Sequence, residues 1–288
     1  MPELPEVEVV KRSLEKVLKN LVIKKVKINN NRLRYLINKK EFNKIVNCKI
    51  ISVERRSKYI LLNLKQHFTI LIHLGMTGKL FIVNKNKKRQ KTSFYYNISA
   101  NDNKHDHVII HLNKQLKLIY NDVRKFGFIK IINSSFLMEN NHLKHLGPEP
   151  LSVKFNFKFF KHYIINKNKN LKNILMDQKF ISGLGNIYVN EILFLSRLNP
   201  KKSARSLKDH EIIKIIKNTK KILKKSIIFG GSSINDFKNA DGKKGNFQQQ
   251  FNVYSREKLK CLKHGCHDFI KKTYISNRAT FFCSSCQK

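Results

Sequence analysis

Four cysteines between residues 261 and 288 restrict what this chain can fold into more than any other feature. They read Cys261-x4-Cys266-x16-Cys283-x2-Cys286. Two close pairs separated by enough chain for a hairpin form the pattern of a tetrahedral four-thiolate zinc site. Such a sphere has no open position, so one zinc ion here is expected to be structural and to fold a finger, without doing chemistry. His264 and His267 lie nearby, but four thiolates complete the sphere without them. The connecting segment "FIKKTYISNRATFFC" alternates as two strands about a turn near "SNR", which puts Arg278 on a small rigid hairpin. A guanidinium there suits a groove or a phosphate. Clustered thiols in a reducing compartment indicate metal before disulfides, and the fifth cysteine, Cys48, stands alone.

The other end of the chain is unusual for its charge. Lys and Arg number 59 against 19 acids, a net charge of +40, yet "MPELPEVEVV" opens the sequence and Glu3, Glu6, Glu8 and Glu15 follow in quick succession. The basic surplus points to a polyanion, nucleic acid ahead of an anionic membrane surface, although Lys, Asn and Ile are abundant throughout. No apolar run approaches the roughly 18 residues of a membrane span, and acids stand where a signal peptide needs positive charge. A cytoplasmic protein without membrane contact is therefore expected. Val7, Val10, Leu14, Val17, Leu18 and Leu21 recur at helical spacing and predict a helix from residue 5 to about 20. Pro5 suits its first turn, and Glu6 and Glu8 suit its dipole. Pro2 and Glu3 precede that helix and need another reason. Removal of Met1 would leave a secondary amine beside a carboxylate. An α-amino group with a pKa of about 7.7–8.0 is partly neutral at pH 7 and can act as a nucleophile, with the carboxylate moving its proton.

At 288 residues the chain exceeds the size at which one core stops growing. Residues 22–132 read as short β-branched strands, which suggests a sandwich or barrel. "HLGPEPLS" (145–152) is the best linker, and the pattern beyond it is helical. The expected domains are 1–147, 148–251 with a mobile polar loop at about 230–250, and 252–288. In "ISGLGNIYVNEI" two glycines and Asn186 stand before an apolar helix, where backbone amides bind phosphate and Asn186 caps the helix or touches the anion. In "YNDVRKFGFI" Arg124 and Phe126 sit at a turn, a pairing suited to wedging between base pairs and filling the gap left by an extruded nucleotide.

Taken together, "MPELPEVE", "SKYILL", "HLGMTG", "KHDHV", "DVRKFG", "HLGPEPL", "GLGNIY" and "NRATFFCSSCQK" resemble the bacterial formamidopyrimidine-DNA glycosylases, in collinear order over essentially the whole chain. The resemblance implies an α+β fold: an N-terminal β-sandwich with one long helix, a helix–two-turns–helix region and a β-hairpin zinc finger. It implies Pro2 as the nucleophile that attacks C1′ and forms a Schiff base, and Glu3 as general acid/base. Lys58 would serve β-elimination, and Arg278 δ-elimination and phosphate binding. His105, Arg124 and Lys167 match DNA contacts of the family; Lys169 neighbours Lys167 and leaves that register loose. Met76, Arg124 and Phe126 resemble the residues that fill the vacated stack, His73, Asn186 and Arg278 the phosphate grips, and residues 230–250 the loop that closes over the everted base. One departure is visible, since Cys261 and Cys266 are four residues apart where many members have two. The implied activity is excision of oxidised purines from damaged double-stranded DNA, followed by β,δ-elimination, by a monomer holding one zinc. The rival readings are an endonuclease VIII-type enzyme for oxidised pyrimidines and a non-catalytic zinc-ribbon binding protein.

Overall fold

The computed structural model describes residues 2–86, 88–93, 102–232 and 247–288. Two compact units divide the chain, Met1–Lys144 with Gly230–Gly245, and His145–Phe229 with Asn246–Lys288. Most of the 230–250 loop expected from the sequence lies outside the described residues.

The first unit begins with helix α1 (Leu4–Leu18), close to the span its periodicity predicts. Val7, Val10, Leu14 and Leu18 are fully buried, each contributing about 1.5–3 kcal/mol by leaving water. Pro5 occupies the first turn, where its missing N–H costs no helical bond. Next come β1 (Ile23–Ile28), the short α2 (Lys39–Asn43), then β2 (Ile50–Arg56), β3 (Tyr59–Leu64), β4 (Phe68–His73), β5 (Gly78–Val83) and β6 (Arg89–Lys91). Strands β7 (Asp106–Leu112), β8 (Lys117–Asp122) and β9 (Phe128–Asn133) complete the unit. They form two antiparallel sheets, β2-β3-β4-β9 and β1-β7-β8-β5-β6, whose inner faces share one apolar core with α1. Helix α1 packs along β2.

The second unit holds α3 (Phe157–Ile164), α4 (Leu171–Met176), α5 (Asn186–Ser196) and α6 (Asp209–Ile228), then a hairpin of β10 (Ile270–Ile275) and β11 (Arg278–Cys283). Helix α5 is apolar nearly all round and packs against α4, α6 and β11, so it is the centre of this unit. The hairpin turns at Ser276 (φ 48°) and Asn277 (φ 58°), both in the left-handed region that a two-residue turn of type I′ needs. Ile275 pairs with Arg278 across it, as the "SNR" turn predicts. Among the described residues no helix is long and apolar enough to cross a membrane.

Candidate active site

Pro2 and Glu3 are buried, which is uncommon for a chain terminus. Glu3 is the N-cap of α1 and closes a capping box with Glu6: the Glu3 N–H donates to Glu6 Oε2 at 2.9 Å. The other Glu6 oxygen accepts the Ser232 N–H at 2.7 Å and the Ser232 hydroxyl at 2.8 Å. Gly231, at φ +83°, presses on the same carboxylate, and a Cβ there would come within 3.1 Å of Oε1. The helix dipole therefore accounts for only part of Glu6, which also ties residues 231–232 to the N-terminus.

Lys58 sits at a hairpin tip, where lysine is normally solvated, yet Ser57 and Lys58 are only 1% and 7% exposed. The tip is held by a short relay. Glu8 of α1 accepts from Arg55 Nε at 2.7 Å, and the Arg55 guanidinium donates to the Ser57 carbonyl at 2.9 Å. Burial alone would raise the Glu8 pKa, but Arg55 and Arg12 outweigh it and hold the carboxyl below its ordinary value. Helix α1 and the Lys58 turn are thus locked together by charge. The positive charge of Lys58 is felt at His73, whose pKa is pushed down to about 4, first by burial and then by Lys58, Arg34 and His142. His73 is consequently neutral at pH 7. Its Nδ1 accepts the Gly75 N–H at 3.2 Å, which leaves Nε2–H to donate, and its ring stacks on Phe128.

His73, Met76, Arg124 and Phe126, four residues selected from the sequence, line one open cleft of about 570 Å³ together with Arg34, Gly75 and Lys125. Met76 and Phe126 are 42% and 45% exposed, so Phe126 does not fold into the core, and the Arg124 guanidinium lies 4.5 Å from its ring centroid. Glycine makes this pairing possible. Gly75 (φ +59°) packs directly on the backbone of Phe126 and Gly127, and a Cβ on Gly127 would strike the Tyr120 hydroxyl and the His73 carbonyl. The β4–β5 and β8–β9 turns are pressed backbone to backbone, and their side chains emerge side by side. His105 ends a short 3-10 turn (Asp102–His105) directly before β7, and it is half-buried.

The sequence reading missed the group that organises these turns. Asp122 is fully buried and accepts Thr77 Oγ1 at 2.5 Å and the Gly127 N–H at 2.8 Å, while Thr77 Oγ1 receives the Arg124 N–H at 3.0 Å. An acid inside a cationic turn motif was the available signal. Asp122→Ala leaves buried donors without an acceptor and is expected to destabilise the first unit by about 3 kcal/mol. Thr77→Val should cost about 1 kcal/mol, and urea unfolding followed on both variants checks that order.

In the second unit, Asn186 opens α5, but Gly185 is the N-cap, so Asn186 does not cap the helix. Its Nδ2 donates to the Ala279 carbonyl at 2.9 Å, immediately beside the exposed Arg278. Lys172, which no sequence signal marks, is fully buried and donates to the same carbonyl at 2.9 Å and to Thr280 Oγ1 at 2.7 Å. Burial and then the Arg278 charge push its pKa down to about 8. Asn190 accepts the Phe281 N–H at 2.8 Å, and the buried Glu191 carboxylate accepts four donors from residues 252–254, each at 2.9 Å. The hairpin carrying Arg278 is therefore gripped by its backbone from α4 and α5. Lys167 stands apart, exposed, with its ammonium 5.3 Å from the Tyr163 ring centroid.

Cys261, Cys266, Cys283 and Cys286 converge, with all four sulfurs within 4.8 Å of one another. Cys261 to Cys286 is 3.8 Å and Cys266 to Cys283 is 3.7 Å. Zinc at about 2.3 Å from each of four tetrahedral sulfurs requires separations of about 3.8 Å, so these thiols fit that ion and are too far apart for disulfides. The four-residue spacing of the first pair is accommodated. Asp268 braces the knuckle, accepting Ser284 and Ser285 hydroxyls at 2.9 Å.

Residues 1–129 match the profile of the formamidopyrimidine-DNA glycosylase N-terminal domain, and residues 146–238 that of the formamidopyrimidine-DNA glycosylase H2TH domain. A formamidopyrimidine-DNA glycosylase of Rickettsia bellii is 42% identical over 288 residues, covering 100% of both chains. Among solved structures, a Lactococcus lactis enzyme mutant in complex with Fapy-dG containing DNA superposes with a TM-score of 0.85 at 31% identity, covering 100% of both chains. The wild-type Lactococcus lactis protein with DNA containing an oxidized pyrimidine gives 0.84 at 31% identity over 100% of both chains. An antiparallel sandwich with Pro2 and Glu3 buried at its start, a helical region and a four-cysteine hairpin thus define, with these matches, a DNA glycosylase of base excision repair. The chain belongs to the formamidopyrimidine-DNA glycosylase family, whose members join glycosylase to AP lyase activity.

Proposed function

We propose that this enzyme excises oxidised purines, 8-oxoguanine and formamidopyrimidines, from double-stranded DNA and then cuts the strand on both sides of the damaged sugar. It acts in the cytoplasm as a monomer. The observation that carries this reading is the buried Pro2-Glu3 terminus, fixed by Glu6 and backed by a helix locked to the Lys58 turn.

Duplex DNA is held by its phosphates on cationic and amide donors, among them His105, Arg124, Lys167, Asn186 and Arg278. Neutral His73 suits a phosphate oxygen through its Nε2–H. Met76, Arg124 and Phe126 enter the stack and support the everted nucleotide; eversion costs a few kcal/mol, less for a lesion that pairs or stacks poorly. With Met1 removed, the Pro2 nitrogen bonds to C1′ as the glycosidic bond breaks and its electrons leave with the base. Glu3 shuttles the proton that the sugar ring must gain and lose as the iminium forms. Loss of a C2′ proton, with Lys58 near, expels the 3′ phosphate; a second elimination, served by Arg278, expels the 5′ phosphate and leaves a one-nucleotide gap. Cys261, Cys266, Cys283 and Cys286 hold one zinc, which supplies folding energy to the hairpin and no step of the reaction.

The related oxidised-pyrimidine specificity merits a direct test, because a structural neighbour was solved with such DNA. Duplexes carrying 8-oxoguanine or thymine glycol, offered in competition, should show at least tenfold preference for the purine lesion. Preference for thymine glycol overturns the assignment.

A further inference from the structure

One outer corner of the first unit carries unbalanced charge in strict register. Lys25 of β1 lies directly opposite His111 of β7, and His111 directly opposite Lys117 of β8. Lys27 follows two residues along β1 on the same face as Lys25, because Val26 and Ile28 between and beyond them pack on the core. Lys25, Lys27 and Lys117 are exposed and His111 is half-buried. Lys25 and Lys117 flank His111 across the sheet, and their unoffset positive charges repel one another. Elsewhere the scarce acids are matched to cations, as in Arg55 with Glu8, Arg89 with Asp106 and Lys202 with Glu211. No ion pair reaches this row among the described residues, and the groups that act on His111 besides its burial are Lys117, Lys25 and Lys27.

The position of the row matters as much as its charge. Lys117 starts β8 and Asp122 ends it, beside the turn that carries Arg124 and Phe126. Five residue steps place the row about 17 Å along the strand from that turn. Across three strands the row spans about 10 Å, a length over which duplex DNA carries about six phosphates. We propose that Lys25, Lys27, His111 and Lys117 form a second DNA-binding surface, which holds the backbone of another duplex segment while the lesion cleft is occupied. This inference rests on the DNA partner proposed above and is independent of the catalytic assignments.

The test uses the full-length enzyme saturated with a short unlabelled duplex that carries a non-cleavable abasic-site analogue. A labelled undamaged duplex is then added and its capture followed by anisotropy at several salt concentrations. The wild type should capture the second duplex. Lys25→Gln/Lys27→Gln/Lys117→Gln should weaken that capture at least tenfold and lower the salt slope by about three. A triple variant with the same charge loss on exposed positions of α6, Lys217→Gln/Lys221→Gln/Lys224→Gln, should stay within twofold. Equal loss in both variants, absence of a captured duplex, or capture of phosphatidylserine vesicles in its place overturns the proposal. Incision of a lesion duplex should be unchanged in both variants, so failure of the nucleophile assignment would be seen separately.

Discussion

An enzyme in which Met1 is retained ahead of Pro2 should form no borohydride-trapped adduct with lesion DNA and should lose incision by at least about a thousandfold. The reason is electronic. Once acylated by a preceding residue, the Pro2 nitrogen becomes a tertiary amide with no basic lone pair, whereas the free terminus offers a secondary amine that is partly neutral at pH 7. Lesion-duplex binding should stay within a few-fold, because the cleft lined by His73, Met76, Arg124 and Phe126 is untouched. Intact mass fixes the state of Met1 in each preparation. A trapped adduct from the extended chain would remove Pro2 from the mechanism.

Cys283→Ser is expected to release one equivalent of zinc and to reduce DNA affinity by at least a hundredfold. Cys283 is fully buried at the end of β11, and its backbone N–H is held by Gln287 Oε1 at 3.0 Å. Zinc binding to such sites is worth about 10–16 kcal/mol in isolated fingers, so three thiolates and a hydroxyl cannot hold the hairpin as four thiolates do. Arg278 begins the same strand and would lose its fixed direction. The first unit, with its own core, should unfold at the wild-type urea midpoint. Normal incision by this variant, with zinc absent by atomic absorption, would contradict the structural role given to the metal.

Much of this was readable from local sequence because the causes are local. The stripe of Val7, Val10, Leu14 and Leu18 predicts α1, the cysteine spacing predicts a closed thiolate sphere, and the SNR segment predicts a hairpin with Arg278 at its turn. Other assignments needed the fold. Following two glycines, Asn186 suits a cap or an anion contact, yet Gly185 takes the cap position and Asn186 bonds Ala279, 93 residues away. Glu6 suits the helix dipole, but one of its oxygens accepts the Ser232 N–H and hydroxyl, 226 residues distant.

The sequence by itself marked the residues proposed to bear chemistry: Pro2 and Glu3 near the N-terminus, four cysteines, and cations in strand and hairpin turns. Periodicity and spacing act within a few residues, so they survive in one dimension. Only the tertiary structure decided how those groups are held. Asp122 joins two turns into one cleft wall, Glu8 and Arg55 hold the tip bearing Lys58, and Lys172, Asn186 and Asn190 grip the hairpin that bears Arg278. Each is a polar group removed from water, and its partner is chosen by chain crossings tens of residues apart, which no local pattern encodes.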